Sequence, residues 1–344
     1  MKYDIKSMQL PEIKEYFATT GERQFRAQQV FSWLHKGIKT FMEMTDISLE
    51  LRKELDDKFF ISVPELMEKQ ISKTDGTEKY LWRVNDGDAV ECVLMEYSHG
   101  NTICISTQVG CKMGCSFCAS SLDGFSRNLF ASEMIDQVVF TQLEAGKPVS
   151  NIVLMGVGEP LDNFDNVMRF IELICHPNGI NIGARHLTLS TCGLIESIDR
   201  LSEYDVQLTL AISLHAPDDE TRSRLIPVNR GYGVKDLIEA GSRYFIKTGR
   251  RVTYEYALIC GVNDSAEQAA KLAGLLQGTA SHLNLILLSN VQEREFKEST
   301  LNSVNIFTST LKRNGVNYTM RRRLGADIEA ACGQLRHHML REMG

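Results

Sequence analysis

The sequence predicts an α/β protein: a partial (β/α)6 barrel with a small helical N-terminal domain and a β-hairpin extension. Three observations predict it. From Asn101 onward, apolar runs of strand length alternate with helical stripes about six times, the pattern of a parallel sheet. Ahead of them, two alternating strands flank the turn Asn85-Asp86-Gly87-Asp88. Residues 1–60 carry helical periodicity.

In the N-terminal domain, Gln24 to Leu34 forms one helical stripe and Ser48 to Phe60 another, with Asp46 or Ser48 as the cap of the second. Arg23, Arg26, Trp33, His35, Lys36 and Lys39 gather basic groups around an aromatic, the chemistry of a stacking-plus-phosphate contact with RNA. The plainer reading, a solvated helix face with Trp33 in the core, is the stronger one from these residues alone. Residues 61–77, with Pro64 and the polar run Ser72 to Thr77, read as a boundary. The expected organisation is a helical domain over 1–75, a hairpin over 76–96, the barrel over 97–327 and a C-terminal tail over 328–344.

The hairpin pairs Lys79–Val84 with Ala89–Met95. Glu91 lies among Val90, Val93 and Leu94, and alternation puts it on one face with Val93 and Met95. On an exposed face it is solvated. On an inner face its pKa would rise and it could take a proton. The pattern leaves both open.

In the barrel, the periodicity predicts strands over Thr102–Thr107, Asn151–Met155, His186–Ser190, Gln207–Leu214, Arg251–Leu258, His282–Leu288 and Asn317–Arg321. Helices intervene, the first over Ser132–Ala145 with Ser132 as its cap. Sites in such folds form at the carboxyl ends of strands. The polar motifs fall there: Met155-Gly156-Val157-Gly158-Glu159-Pro160, Ser190-Thr191-Cys192-Gly193, Ser213-Leu214-His215 and Ser289-Asn290. Each is by default a turn. Each can also hold a ligand, Gly158 by letting it approach the backbone and Glu159 by accepting from an ammonium.

Composition narrows the class. A hydrophobic fraction of 43% is that of a globular protein, and no apolar run approaches the length of a membrane span. The first residues lack a long apolar core, so neither export nor a membrane is expected. Nine Cys without an export signal fit thiolate ligands in a reducing cytoplasm. A net charge of -6 argues weakly against nucleic acid, but residues 312–344 are locally basic through Lys312, Arg313, Arg321, Arg322, Arg323, Arg336 and Arg341.

The most specific motif is Cys111-Lys112-Met113-Gly114-Cys115-Ser116-Phe117-Cys118, with thiols at C-x3-C-x2-C. Gly110 and Gly114 let the loop fold back. No fourth ligand follows at the spacing of a closed zinc site. Three thiolates fit a 4Fe-4S cluster with one iron left open, whereas electron-transfer clusters take four. The alternative is a loop of buried thiols or a partial zinc site. This loop resembles the signature of the radical SAM superfamily. The resemblance implies that S-adenosylmethionine chelates the open iron through its methionine end and is cleaved by one electron to a 5'-deoxyadenosyl radical. It also implies that Gly158 and Glu159 bind the methionine amino group.

Among the other cysteines, Cys92, Cys175, Cys192 and Cys260 have no role beyond packing in this reading. Cys104 lies on the strand before the loop, and Cys332 lies among Ala330, Ala331 and Gly333 in the tail. With Phe25-Arg26-Ala27-Gln28-Gln29, Glu43-Met44-Thr45, the stretch Cys104 to Cys111 and the stretch Asp327 to Leu335, nearly the whole chain resembles the RlmN/Cfr class of radical SAM RNA methyltransferases. Gly158-Glu159-Pro160-Leu161 and Cys192 resemble its RlmN branch.

That resemblance implies methylation of carbon 2 of an adenosine in the peptidyl transferase centre of 23S rRNA, and of the adenosine 3' of the anticodon in some tRNAs. Cys332 would carry the methyl group as S-methylcysteine, Glu91 would accept the ring proton, and Cys104 would resolve the adduct through a disulfide with Cys332. Cofactor contacts are implied for Ser190, Ser213, Leu214, His215 and Ser289 or Asn290. A departure falls in the last: Asn284-Leu285-Ile286-Leu287-Leu288-Ser289-Asn290 lacks the proline usual in the class and has Ser where Asn is usual. The implied partners are rRNA, tRNA and an electron donor such as flavodoxin or ferredoxin, and a monomer is expected. The rival readings are a carbon 8 methyltransferase of the same class and a non-catalytic cluster- or zinc-binding RNA module. The set Glu91, Cys104 and Cys332, which binding does not require, speaks against the module.

Overall fold

A computed structural model describes residues 2–289, 291 and 293–328. Cys332 and Asn290 lie outside the described residues.

The N-terminal unit opens with a short strand, Tyr3–Asp4 (β1), and three helices, Leu10–Thr20 (α1), Gln24–Leu34 (α2) and Leu49–Lys58 (α3). Helix α1 starts with Pro11 in its first turn, and Glu12 reaches back to the Gln9 amide at 2.6 Å. Ser48, rather than Asp46, caps α3, its hydroxyl accepting from Leu51 N at 3.3 Å. Asp46 instead receives the Trp33 indole N–H. Phe59–Phe60 (β2) pairs in parallel with β1 and closes the unit. Phe17, Val30, Phe31 and Leu55 are fully buried within it.

Among the described residues, the main sheet has ten strands whose spatial order follows the chain. Glu65–Ile71 (β3), Glu78–Arg83 (β4), Ala89–Tyr97 (β5) and Gly100–Cys104 (β6) form an antiparallel meander. The expected hairpin is therefore present, but as part of the barrel sheet. Residues 61–77, read as a boundary, contain the edge strand β3. Its residues are exposed or half-buried and include Glu65, Glu68 and Lys69, so no apolar stripe announces it.

A two-stranded pair, Gln108–Gly110 (β7) and Phe125–Asn128 (β8), brackets the cysteine loop. Six crossovers follow from β6: Ala131–Ala145 (α4) to Val149–Leu154 (β9), Phe164–Cys175 (α5) to Leu187–Thr191 (β10), and Ile195–Leu201 (α6) to Thr209–Ser213 (β11). Asp219–Leu225 (α7) and Val234–Thr248 (α8) lead to Val252–Leu258 (β12), Ala266–Leu276 (α9) to Ser281–Leu287 (β13), and Leu301–Arg313 (α10) to Tyr318–Met320 (β14). Within the main sheet β6 and β9 to β14 pair in parallel, which is the partial (β/α)6 barrel expected. Ile103, Ile152, Leu189, Leu210 and Leu283 are fully buried, as a parallel sheet covered by helices requires.

The cap expected of Ser132 is made differently. Phe130 is the capping residue, and Glu133 accepts from its amide at 2.8 Å. Ser132 N donates to Ser7 Oγ, and the buried Lys6 ammonium bonds Asp136 on α4 and the Ser62 carbonyl, so the N-terminal unit is tied to the barrel. Among the described residues, no helix is long and apolar enough to cross a membrane.

Candidate active site

The carboxyl ends of the parallel strands surround a cavity of about 330 Å3. Cys111, Cys115 and Cys118 line one side of it. Their loop depends on Gly110, whose φ is +76° and whose missing Cβ would stand 1.9 Å from Gly124 O. The loop is held from outside: Ser116 N donates to Leu225 O at 2.9 Å, and Arg294 donates to Cys118 O at 3.0 Å. Burial pushes the Cys111 thiol up to about 11 and raises that of Cys115, and the neighbouring thiols add to it. Among the described residues, no three His, Cys, Asp or Glu side chains converge as ligands of a single metal ion. Three soft thiol donors lining one cavity fit a cluster, where each thiolate takes its own iron. Positive charge in the cavity would hold them as thiolates.

The turn after β9 lines the same cavity. A Cβ on Gly156 would meet Ile105 backbone atoms at 2.6 Å, and one on Gly158 (φ +108°) would meet Gln108 at 2.6 Å. Only glycine lets this turn lie against the strand before it. Glu159 is buried, and its two oxygens accept from Leu161 N at 3.0 Å and Cys192 N at 2.7 Å. Burial raises its pKa while those amides oppose the shift. The carboxylate is thus oriented into the cavity it lines, with lone pairs left for a cation.

Ser190, Ser213 and His215 line the same cavity from the ends of β10 and β11. His215 has φ +54° and its Nδ1 accepts from Ala257 N at 2.9 Å, so the ring is neutral with its proton on Nε2. Burial, with the nearby Arg222 guanidinium, pushes its pKa down to about 3. The Leu214 side chain turns into the main core; the residue contributes backbone, its N–H bonding Glu255 O. Ser289 lines the cavity at the end of β13.

Sequence reasoning missed three residues. Glu255 on β12 is 3% exposed and lines the cavity. Its Oε1 accepts from Asn284 at 2.9 Å, while its Oε2 is buried without a hydrogen-bond partner. Burial raises its pKa and Arg321 opposes. Its signal, a lone carboxylate in an apolar strand, is the same one that singled out Glu91. Cys192, assigned to packing, also lines the cavity, whereas Cys260 is exposed. Arg222 is fully buried and donates to the carbonyls of Leu214, Cys192 and Ser213, tying two strand ends together.

A second cavity of about 250 Å3 adjoins the first. Met155, Ile286, Leu287, Ser289 and Arg321 belong to both linings. Cys104 lines the second, with Val93, Met95, Tyr97 and the run Arg321 to Leu324. Cys104 lies directly across from Val93 on β5. Glu91, two residues earlier on that face, is 3% exposed and pairs with the equally buried Lys79 at 3.3 Å. It lines neither of these two cavities. In the N-terminal unit, Arg23, Lys36 and Lys39 are exposed, Trp33 is half-buried and His35 is buried.

A parallel barrel opening onto a three-cysteine loop is the architecture of the radical SAM proteins, and residues 105–273 match the model of the radical SAM superfamily. Residues 3–61 match that of the ribosomal RNA large subunit methyltransferase N-terminal domain. A probable dual-specificity RNA methyltransferase RlmN of Alkaliphilus oremlandii is 50% identical over 339 residues, covering 98% of this chain and 99% of its own. Its counterpart in Lachnoclostridium phytofermentans is 49% identical over 97% of this chain and 94% of its own. The crystal structure of a radical SAM methyltransferase from Sphaerobacter thermophilus superposes with a TM-score of 0.91 at 41% identity, over 96% of this chain and 98% of that one. The chain belongs to the RlmN class of radical SAM RNA methyltransferases.

Proposed function

We propose that the protein methylates carbon 2 of an adenosine in 23S rRNA and, in keeping with the dual specificity named for its relatives, in tRNA. The observation that carries this reading is the shared wall: a thiol, Cys104, stands in a chamber separated from the cysteine-loop cavity by single side chains. Simple methyl donation needs one chamber and no second thiol.

Cys111, Cys115 and Cys118 would hold a 4Fe-4S cluster. Glu159 and the glycine turn would take the ammonium of S-adenosylmethionine, and Ser190, Ser213, His215, Ser289 and Asn290 the rest of it. When bound, the cluster and S-adenosylmethionine supply one-electron cleavage of the sulfonium, with flavodoxin or ferredoxin as the electron source. Cys332 accepts a methyl group on sulfur and loses its thiol proton. A hydrogen atom from that methyl would pass to the 5'-deoxyadenosyl group, and the remaining methylene, joined to carbon 2 of the adenine, would hold the RNA covalently; Glu91 would take the proton that leaves carbon 2, and the one surplus electron would return to the cluster. Cys104 then attacks the sulfur of Cys332. The carbon–sulfur bond breaks toward carbon, which gains a proton, and the disulfide left behind is reduced before the next cycle. Arg321, Arg322 and Arg323 would meet phosphate beside the flipped base, with exposed Arg23, Lys36 and Lys39 as further backbone contacts.

The test is to isolate the protein anaerobically, digest it and look by mass spectrometry for a methyl group on Cys332, while analysing nucleosides of treated rRNA and tRNA. S-Methylcysteine with 2-methyladenosine is expected. 8-Methyladenosine would overturn the carbon assignment, and an unmodified Cys332 after addition of S-adenosylmethionine would overturn the thiol route.

A further inference from the structure

Three hydrogen bonds join two places far apart in the chain. Ser72 Oγ donates to Asp327 Oδ1 at 2.6 Å, and Lys73 N donates to Asp327 Oδ2 at 2.9 Å. In the opposite sense, Gly325 N donates to Asp75 Oδ2 at 2.8 Å. The β3–β4 turn therefore grips both ends of Gly325-Ala326-Asp327, each side supplying one carboxylate.

The gripping turn is itself well made. Ser72 N donates to Thr77 O at 2.8 Å, Ser72 Oγ accepts from the amides of Thr74 and Asp75, and the other oxygen of Asp75 accepts from Thr77 N at 2.9 Å. Ser72 is 4% exposed. On the other side, Ala326 and Asp327 are exposed, so apolar burial does not fix that stretch and the hydrogen bonds must. The Ser72 hydroxyl, then the Lys73 amide, hold the Asp327 carboxyl down at about 2.

Position gives the grip its meaning. Immediately before it, Arg321 to Leu324 line the chamber of Cys104. Cys332 follows five residues after Asp327. Five residues of chain reach at most about 18 Å. With Asp327 held, that length bounds how far the thiol can range from this point, which would raise its effective concentration at Cys104 over that of a loosely tethered tail.

We propose that the Ser72–Asp75 turn is a positioning clamp for the C-terminal tail: by holding Gly325 and Asp327 it sets the root from which Cys332 reaches the Cys104 chamber. The clamp rests on the reading of Cys332 as the methyl carrier. It takes no part in the chemistry and acts through the placement of that thiol.

The test compares Ser72→Ala, Asp327→Ala, their double variant and Asp327→Asn with wild type, all as the full chain with its cluster. In Asp327→Ala, which removes the bonds from both Ser72 Oγ and Lys73 N, kcat for RNA methylation is expected to fall about tenfold or more. The KM for S-adenosylmethionine should stay unchanged. More 5'-deoxyadenosine should form per methylated RNA, and hydrogen exchange at the Gly325 and Lys73 amides should accelerate. The double variant should lose less than the sum of the two single ones, since they share the Ser72–Asp327 bond, and Asp327→Asn should recover part of the rate. Wild-type kcat and coupling in both Asp327→Ala and Ser72→Ala would overturn the clamp. Absence of S-methylcysteine at Cys332 in wild type would overturn the underlying reading instead.

Discussion

Lys79 and Glu91 form an ion pair, 3.3 Å between Nζ and Oε2, with both side chains almost wholly buried on adjoining strands. Two charges removed from water together are tolerable; one alone is not. Lys79→Met is therefore expected to destabilise the protein by about 3–5 kcal/mol, the usual result of removing one partner of a buried ion pair. The double variant Lys79→Met/Glu91→Leu should recover much of that loss in urea unfolding, and a double variant no more stable than the single one would show that the pair is not coupled.

Glu255 presents a buried carboxylate oxygen without a partner inside the larger cavity. Such an oxygen suits a donor on the ligand. Glu255→Ala is expected to weaken S-adenosylmethionine binding by about tenfold or more in equilibrium dialysis, the scale of one hydrogen bond to a charged group. Its unfolding midpoint should stay near wild type, since a costly buried carboxylate is removed along with the Asn284 bond.

Gly110 leaves no room for a side chain, because a Cβ would overlap Gly124 O and φ is +76°. Gly110→Ala should displace the start of the cysteine loop. After anaerobic reconstitution, its iron content and visible absorption are expected to fall well below wild type, with far-ultraviolet circular dichroism preserved.

His35 is buried against Phe31 and His176 in the N-terminal unit, and burial lowers its pKa from 6.5 to about 4. The unfolded chain then binds a proton that the folded one refuses. This contribution is complete above about pH 6.5 and is lost as pH falls toward 4, by at most about 3 kcal/mol. His35→Gln should flatten the pH dependence of the urea midpoint across that window. An unchanged slope would show that other groups set it.

How far the sequence foretold these features depends on what each residue answers to. Strands β9 to β13 were legible because buried apolar residues recur along each of them between helical stripes. Strand β3 was not, because an edge strand carries charges where a core strand carries an apolar stripe. Cys111, Cys115 and Cys118 were legible because local spacing alone brings them to one cavity. Ser190, Ser213 and Glu159 were found by their place at strand ends. Glu255 and Arg222 escaped for the opposite reason. Their meaning lies in partners distant in sequence, Asn284 for one and the carbonyls of two strand ends for the other.

The wall common to the two chambers has a consequence for change over time. Met155, Ile286 and Ser289 each face two tenants, so bulk added to a wall residue takes space from one room or the other. Specificity on the two sides cannot drift independently. The small Ser289 leaves slack at that partition, and a change of target shape and a change of cofactor fit would have to be negotiated at the same few side chains.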